Sequence, residues 1–168
     1  MDLEKWVDKT FKLRPAKGTN VRHIEFKWNI LDDFIYLGTN ACCQWHFNRE
    51  LLSQGVEADI SLEGERLDEP VGVTAYLWLP TDDHTAPTLQ NIELGILCID
   101  ELVRQKRKVY IHCKNGHGRG PTLAVAYYMF KGRSLEDALA FVKEKRNEVN
   151  IEPAQMEALK EYQLLLHS

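Results

Sequence analysis

The hydrophobic residues of this chain follow a period of two in some segments and a helical period in others. Alternation over 24–30 and over 34–36, on either side of Asp32-Asp33, predicts a β-hairpin. Runs rich in β-branched and aromatic residues predict three further strands, near 57–62, 73–79 and 108–111. The last run, Lys108-Val109-Tyr110-Ile111, is typical of a buried strand.

Helical spacing separates the predicted strands. Apolar residues three or four positions apart predict a long helix over about 88–106, and Thr39 or Asn40 can cap a helix over about 41–53. Residues that favour helix starts mark three more helices: Pro121, Ser134 and Pro153. Strands that alternate with helices predict an α/β fold, with a mostly parallel central sheet of about four to five strands flanked by helices on both faces.

The first residues carry an apolar stripe of their own. Leu3, Trp6, Val7 and Phe11 recur at helical spacing, which predicts a short helix. We expect residues 1–22 to form a helical extension packed on a single domain that spans 1–168; docking of a partner on the stripe is the alternative. A chain of 168 residues suits one compact core.

Composition narrows the possible environments. The formal net charge of −4 gives no sign of a nucleic-acid-binding or basic membrane-binding surface. No apolar run approaches the length of a membrane span, so we expect no stable membrane insertion. For the oligomeric state, we expect a monomer. The four cysteines have no disulfide spacing, which favours a reducing, cytoplasmic location: Cys42, Cys43, Cys98 and Cys113.

One stretch, His112-Cys113-Lys114-Asn115-Gly116-His117-Gly118-Arg119, connects the buried strand to the helix that contains Pro121. Backbone N–H groups and the positive end of a helix dipole converge at such a junction, which makes it an anion site. A cysteine thiolate at its base is stabilised as an anion, and Arg119 offers a planar fork for two phosphate oxygens. We expect the phosphate to be bound by Lys114, Asn115, Gly116, His117, Gly118 and Arg119.

Other interpretations of this stretch fit less well. The stretch lacks the third glycine of a dinucleotide-binding turn, and it lacks the Gly-Lys-Ser/Thr ending of a nucleotide-binding P-loop. His112, Cys113 and His117 have no second Cys or His cluster to complete a metal site, so neither a metal nor a cofactor is expected. A buried, inert Cys113 is the remaining alternative.

His112-Cys113, five residues and Arg119 together resemble the signature of the cysteine-dependent protein tyrosine phosphatases, and the chain is most similar to their compact dual-specificity type. The resemblance covers about residues 30–166, including 34–39, 55–62, 126–129 and 145–153. It implies a nucleophilic Cys113, a phosphate-binding Arg119 and an acid about thirty residues before the cysteine. Asp83 fits that spacing, and Asp82 is the alternative. Both can instead be turn residues.

One position departs from the family pattern. The residue after the arginine is usually Ser or Thr, whose hydroxyl assists departure of the cysteine sulfur, but here it is Gly120. Thr122 is the next hydroxyl, and a glycine at 120 can also serve a left-handed backbone conformation.

Three functional hypotheses follow. The first is a phosphomonoester hydrolase that acts on phosphotyrosine, and on phosphoserine or phosphothreonine, in proteins. The second is hydrolysis of phosphoinositides or another phospholipid head group, to which Lys114 and His117 add cationic residues. The third is a module that binds phosphorylated partners without turnover, which only Gly120 suggests.

Overall fold

The computed structural model describes residues 26–41 and 44–167. The helical extension predicted over 1–22 lies outside the described residues. Within them, five strands form one sheet: β1 (Trp28–Ile30), β2 (Ile35–Thr39), β3 (Val56–Glu63), β4 (Ala75–Thr81) and β5 (Lys108–Cys113). Their order in the sheet is β1-β2-β5-β3-β4. Strand β1 is antiparallel to β2, and every other pair is parallel.

Helices cover both faces of the sheet, as a mostly parallel sheet requires. The described helices are α1 (Gln44–Glu50), α2 (Leu89–Arg104), α3 (Arg119–Phe130), α4 (Leu135–Lys145) and α5 (Pro153–Leu166), with a 3₁₀ turn at Leu52–Gln54. Ile35 and Leu37 of β2 join the core under α2 to α5, whereas Tyr36 packs with Phe47 of α1 on the other face. The predicted α/β fold is confirmed.

The predicted caps are partly confirmed. Ser134 caps α4 by accepting a hydrogen bond from Asp137 N (3.0 Å). The predicted capping by Thr39 or Asn40 is wrong, because Thr39 is the last residue of β2 and Ala41, where the predicted helix would begin, is not helical. Long-range bonds use both side chains instead: the Thr39 hydroxyl accepts from Lys27 N, and the Asn40 amide donates to Asp68 and Glu63.

The sheet order places the end of β5 at the centre of one sheet edge. Strand β5 lies between β2 and β3, both parallel to it, so three carboxyl ends meet there. Cys113 is the last residue of β5, and α3 begins at Arg119, two residues earlier than Pro121. In open α/β sheets this edge is where ligands bind.

Asp32 organises the turn between β1 and β2. Its Oδ1 accepts hydrogen bonds from Phe34 N and Ile35 N, both at 2.9 Å. Its Oδ2 accepts one from the hydroxyl of Tyr128 on α3, at 2.6 Å, and Tyr128 is buried. A single carboxylate therefore closes the hairpin and connects it to the helix behind the sheet.

We expect Asp32→Ala to destabilise the fold by about 1–3 kcal/mol, because it leaves a buried tyrosine hydroxyl and two backbone N–H groups without their acceptor. The measurement is the free energy of unfolding from urea denaturation. Asp33→Ala is the matched control, since Asp33 is the exposed neighbour in the same turn. Equal losses in the two variants would contradict the role of Asp32.

Candidate active site

The loop after Cys113 has its carbonyl groups turned outward. Four of its carbonyl oxygens accept hydrogen bonds, three from other segments of the chain and one from the first turn of α3. The pairs are Asn40 N to Lys114 (3.2 Å), Arg146 Nε to Gly116 (2.9 Å), Asn150 N to His117 (2.8 Å) and Thr122 N to Gly118 (2.8 Å). Because the N–H and C=O of a peptide point in opposite directions, outward carbonyls turn N–H groups toward the inside of the loop. Such a concave set of N–H groups binds anions.

Gly116 is the tightest point of the loop. Its φ is +65°, in the left-handed region, and a Cβ there would lie 2.5 Å from the carbonyl oxygen of Gly38 in β2. Arg146 lies behind the loop, is 1% exposed, and also donates from Nη1 to Asn29 Oδ1 (2.7 Å). The loop is therefore packed against β2 and held by the buried guanidinium of Arg146.

Arg119 lies at the start of α3 and is almost fully buried. Its Nη1 is 2.8 Å from Glu65 Oε2 and donates to the carbonyl oxygen of Thr81 at 2.7 Å. Its Nη2 is 3.1 Å from Asp83 Oδ1. The hydrogen bond from Arg119 holds the pKa of Glu65 below its ordinary value. Two carboxylates thus neutralise this buried cation when no anion is bound.

The two aspartates after β4 have different surroundings. Asp83 makes the contact with Arg119, whereas the carbonyl oxygen of Asp82 accepts hydrogen bonds from the N–H (3.2 Å) and the hydroxyl (2.8 Å) of Thr85. Asp82 therefore forms a turn, and Asp83 points its carboxylate at the arginine. The structure brings Asp83 to the same site as Arg119.

A cavity of about 230 Å³ contains most of the predicted site. Six of its ten lining residues were predicted from the sequence, and four were not: His84, Asn150, Glu152 and Gln155. The lining residues are Asp83, His84, Cys113, Asn115, His117, Gly118, Arg119, Asn150, Glu152 and Gln155. Two predicted phosphate-binding residues, Lys114 and Gly116, are not part of this lining. Lys114 is half-buried, and Gly116 is buried against β2.

His112, the residue before Cys113 in β5, has a buried side chain. It is 2% exposed, its ring stacks on Tyr110 with 5.3 Å between centroids, and its Nε2 lies 3.2 Å from Asp59 Oδ1. Burial lowers the pKa of His112, but the carboxylates of Asp59, Asp68 and Glu63 together raise it by more, so its pKa lies above the ordinary value. A buried polar layer therefore supports the strand that ends at Cys113.

Gly120 lies in the first turn of α3, and its φ is not in the left-handed region. A Cβ there would lie 3.3 Å from the carbonyl carbon of His112 and 3.4 Å from the nitrogen of Cys113, so a side chain at position 120 fits only if the backbone of β5 moves by a few tenths of an ångström. The Thr122 hydroxyl donates to the carbonyl oxygen of Gly118 at 2.8 Å. It is therefore engaged on the backbone of its own helix.

Sequence reasoning did not identify Glu65, Asn150, Glu152 or Gln155 as site residues. Glu65 comes two residues after β3, at the same sheet edge as Cys113. Glu152 and Gln155 form a capping box at the start of α5. Their spacing was visible in the sequence, but Glu is not a preferred N-cap residue, so the signal was weak.

Among the described residues, none of the helices has the length and the apolar character that a membrane span requires. No group of three or more His, Cys, Asp or Glu side chains in the part of the chain that the structure describes converges as a set of metal ligands.

Comparisons with known proteins agree with this geometry. The chain is 36% identical over 94 residues to phosphatidylglycerophosphatase and protein-tyrosine phosphatase 1 of Rattus norvegicus, covering 55% of this chain and 48% of the relative. It is 30% identical over 118 residues to dual specificity protein phosphatase 1 of Homo sapiens, covering 68% and 31%. The chain thus spans less than half of the length of either relative.

A solved structure has a similar fold. The crystal structure of PTPMT1 superposes with a TM-score of 0.75 at 27% identity, covering 84% of this chain and 96% of that one. The family model "Dual specificity phosphatase, catalytic domain" matches residues 35–164, from β2 into α5. The chain therefore belongs to the dual specificity phosphatase family.

Proposed function

We propose that this protein hydrolyses phosphomonoesters through a phosphocysteine intermediate. The observation that carries the proposal is the meeting of Asp83 and Arg119, 3.1 Å apart, at the cavity that contains Cys113. An acid, a phosphate-binding fork and a nucleophile at one anion site are the groups that phosphoryl transfer to cysteine needs.

The first step transfers the phosphoryl group to Cys113. The thiolate attacks phosphorus, the bond from phosphorus to the leaving oxygen breaks, and protonated Asp83 gives its proton to that oxygen. Arg119 and the loop N–H groups stabilise the negative charge on the transferring phosphoryl oxygens. Since Arg119 is already buried and ion-paired, little reorganisation is needed beyond exchange of carboxylates for phosphate.

The second step releases phosphate. Asp83, now ionised, takes a proton from a water molecule, the water oxygen attacks phosphorus, and the sulfur–phosphorus bond breaks to regenerate the Cys113 thiolate. A hydrogen-bond donor to the sulfur lowers the barrier of this step. The neighbouring hydroxyl of Thr122 is bonded to Gly118 instead, and Gly120 has none to offer.

For the substrate we propose phosphotyrosine, and phosphoserine or phosphothreonine, in proteins. The net charge of −4 and the carboxylates at the cavity, Asp83 and Glu152, disfavour close approach to an anionic membrane surface. A phosphorylated side chain on a protein brings no such surface with it. We further propose that the protein works in the cytoplasm and as one domain.

The second candidate is a phospholipid head group. The similarity to the rat phosphatidylglycerophosphatase and protein-tyrosine phosphatase 1 favours it, since that name includes both activities. A module that binds phosphorylated partners without turnover is the third outcome of the assay that follows.

We expect the wild type to hydrolyse a phosphotyrosine peptide with a higher kcat/KM than vesicles that contain phosphatidylglycerophosphate or a phosphoinositide. Cys113→Ser should lower kcat by more than about 1000-fold, because a serine hydroxyl ionises far less readily than a thiol. Phosphate release measures both results. A preference for the vesicles would establish the lipid candidate. Binding without turnover would leave the binding module.

Two neighbouring variants test the acid. Asp83→Asn should slow phenyl phosphate, which has a poor leaving group, by about 100-fold or more, and 4-nitrophenyl phosphate much less, because a good leaving group needs little protonation. Asp82→Asn is the matched control and should change both rates little, since Asp82 acts through its carbonyl oxygen. The opposite ranking would assign the acid to Asp82.

Gly120 predicts that breakdown of the phosphocysteine limits turnover. A rapid burst of leaving group should precede slow steady-state release of phosphate. Gly120→Ser should raise steady-state turnover about tenfold and leave the burst rate almost unchanged, since a hydrogen bond to a charged group contributes about 1.5–3 kcal/mol. Stopped-flow kinetics measures both phases.

Gly120→Ala is the control for Gly120→Ser, because it adds the same Cβ without a hydroxyl. It should leave turnover unchanged. If the wild type has no burst, or if the alanine variant is as fast as the serine variant, a hydroxyl at position 120 is not what the second step lacks.

A further inference from the structure

The loop that carries Asp83 is tied to the start of α5. We define the acid loop as residues 82–87, between β4 and α2. His84 Nδ1 lies 2.9 Å from Glu152 Oε1, and Gln155 Nε2 donates to the carbonyl oxygen of Thr85 at 3.0 Å. His84 has a φ of +62°, a left-handed conformation uncommon outside glycine. Two contacts therefore hold the two residues that follow Asp83.

Gln155 makes the more substantial of these contacts. It is 1% exposed, and its Oε1 accepts from Glu152 N (2.9 Å) while its Nε2 donates to Thr85. The same amide packs on the phosphate-binding loop: a Cβ on Gly118 would lie 2.7 Å from Gln155 Oε1. Gln155 thus contacts both the loop that carries the acid and the loop that follows the nucleophile.

Glu152 adds a second tie through an exposed partner. Its carboxylate accepts from Gln155 N in the capping box and also faces His84, whose pKa it raises. The side chain of His84 is 78% exposed, so water and salt weaken this ion pair. We therefore expect the buried amide of Gln155 to contribute more to the position of the loop.

The contact between Asp83 and Arg119 cannot hold the loop during the reaction. Asp83 must be protonated to act as an acid, which removes its charge. Bound phosphate also competes for the same guanidinium nitrogens. The contacts from α5 use neither group, so they persist when Arg119 and Asp83 are engaged in the chemistry.

We propose that Gln155, assisted by Glu152 and His84, is the positioning residue of the acid: it holds the acid loop so that Asp83 stays beside the leaving oxygen. The proposal rests on the proposed role of Asp83. It gives the capping box of α5 a function in catalysis in addition to its function in the helix.

The test is a double-mutant cycle with two substrates. Gln155→Met keeps the approximate size of the side chain and removes both hydrogen bonds. We expect it to slow phenyl phosphate about tenfold, within the roughly 100-fold that a misplacement of ~1 Å can cost, and to change 4-nitrophenyl phosphate little. In an Asp83→Asn background, Gln155→Met should cause no further loss with phenyl phosphate, since no acid remains to be positioned.

Gln163→Met, on the same helix and away from the acid loop, is the matched control and should leave both rates unchanged.

His84→Asn is a second variant for the case in which Gln155→Met does not fold. Asparagine tolerates the left-handed conformation, and the side chain is exposed. It should give the same dependence on the leaving group with a loss of about threefold, because its contact is the weaker one.

The outcomes are distinct. Equal losses with both substrates that persist in the Asp83→Asn background would make Gln155 a structural residue only and overturn the proposal. Absence of any loss would mean that the acid loop holds its position without α5, and would also overturn it. If the wild type hydrolyses neither phosphate, the proposed function itself fails, and if Asp83→Asn has no effect, the proposed role of Asp83 fails. The wild type and the single Asp83 variant establish both results independently of Gln155.

Discussion

The outward orientation of the carbonyl groups in the loop after Cys113 is the constraint on which the rest of the site depends. A peptide loop can offer N–H groups to an anion only if its carbonyl oxygens find donors elsewhere. Here the donors come from the residue that follows β2, from α3, from the end of α4 and from the segment before α5. The anion site is thus a product of the whole fold, and the buried Arg146 is its strongest single support, because a guanidinium makes a charge-assisted hydrogen bond.

Electrostatic balance is the second requirement. A buried arginine without a partner would be strongly destabilising, and Glu65 and Asp83 supply the compensating charges. The same carboxylates must move away from the Arg119 guanidinium when phosphate binds to it. The site therefore exchanges one set of anionic partners for another, and Asp83 enters the reaction from a position that it already occupies.

Local patterns in the sequence predicted much of this architecture. The β-rich run, the glycines and Pro121 are contiguous, so the strand, loop and helix around Cys113 could be predicted from neighbouring residues alone. Glu65 and Gln155 could not, because their contacts join residues 54 and 70 positions apart. The capping prediction for Thr39 and Asn40 failed for the same reason, since distant backbone and carboxylate groups compete for their side chains. Propensity describes a segment, whereas the site is assembled from contacts between segments.

Gly118 leaves room for the amide of Gln155, and this contact restricts the substitutions that position 118 can accept. The amide of Gln155 occupies the space that a Cβ at 118 would need. A larger residue at 118 requires a smaller or rotated one at 155, and that change also releases Thr85. A side chain at position 118 would therefore act on the acid loop through Gln155, although the two residues lie 37 positions apart in the sequence.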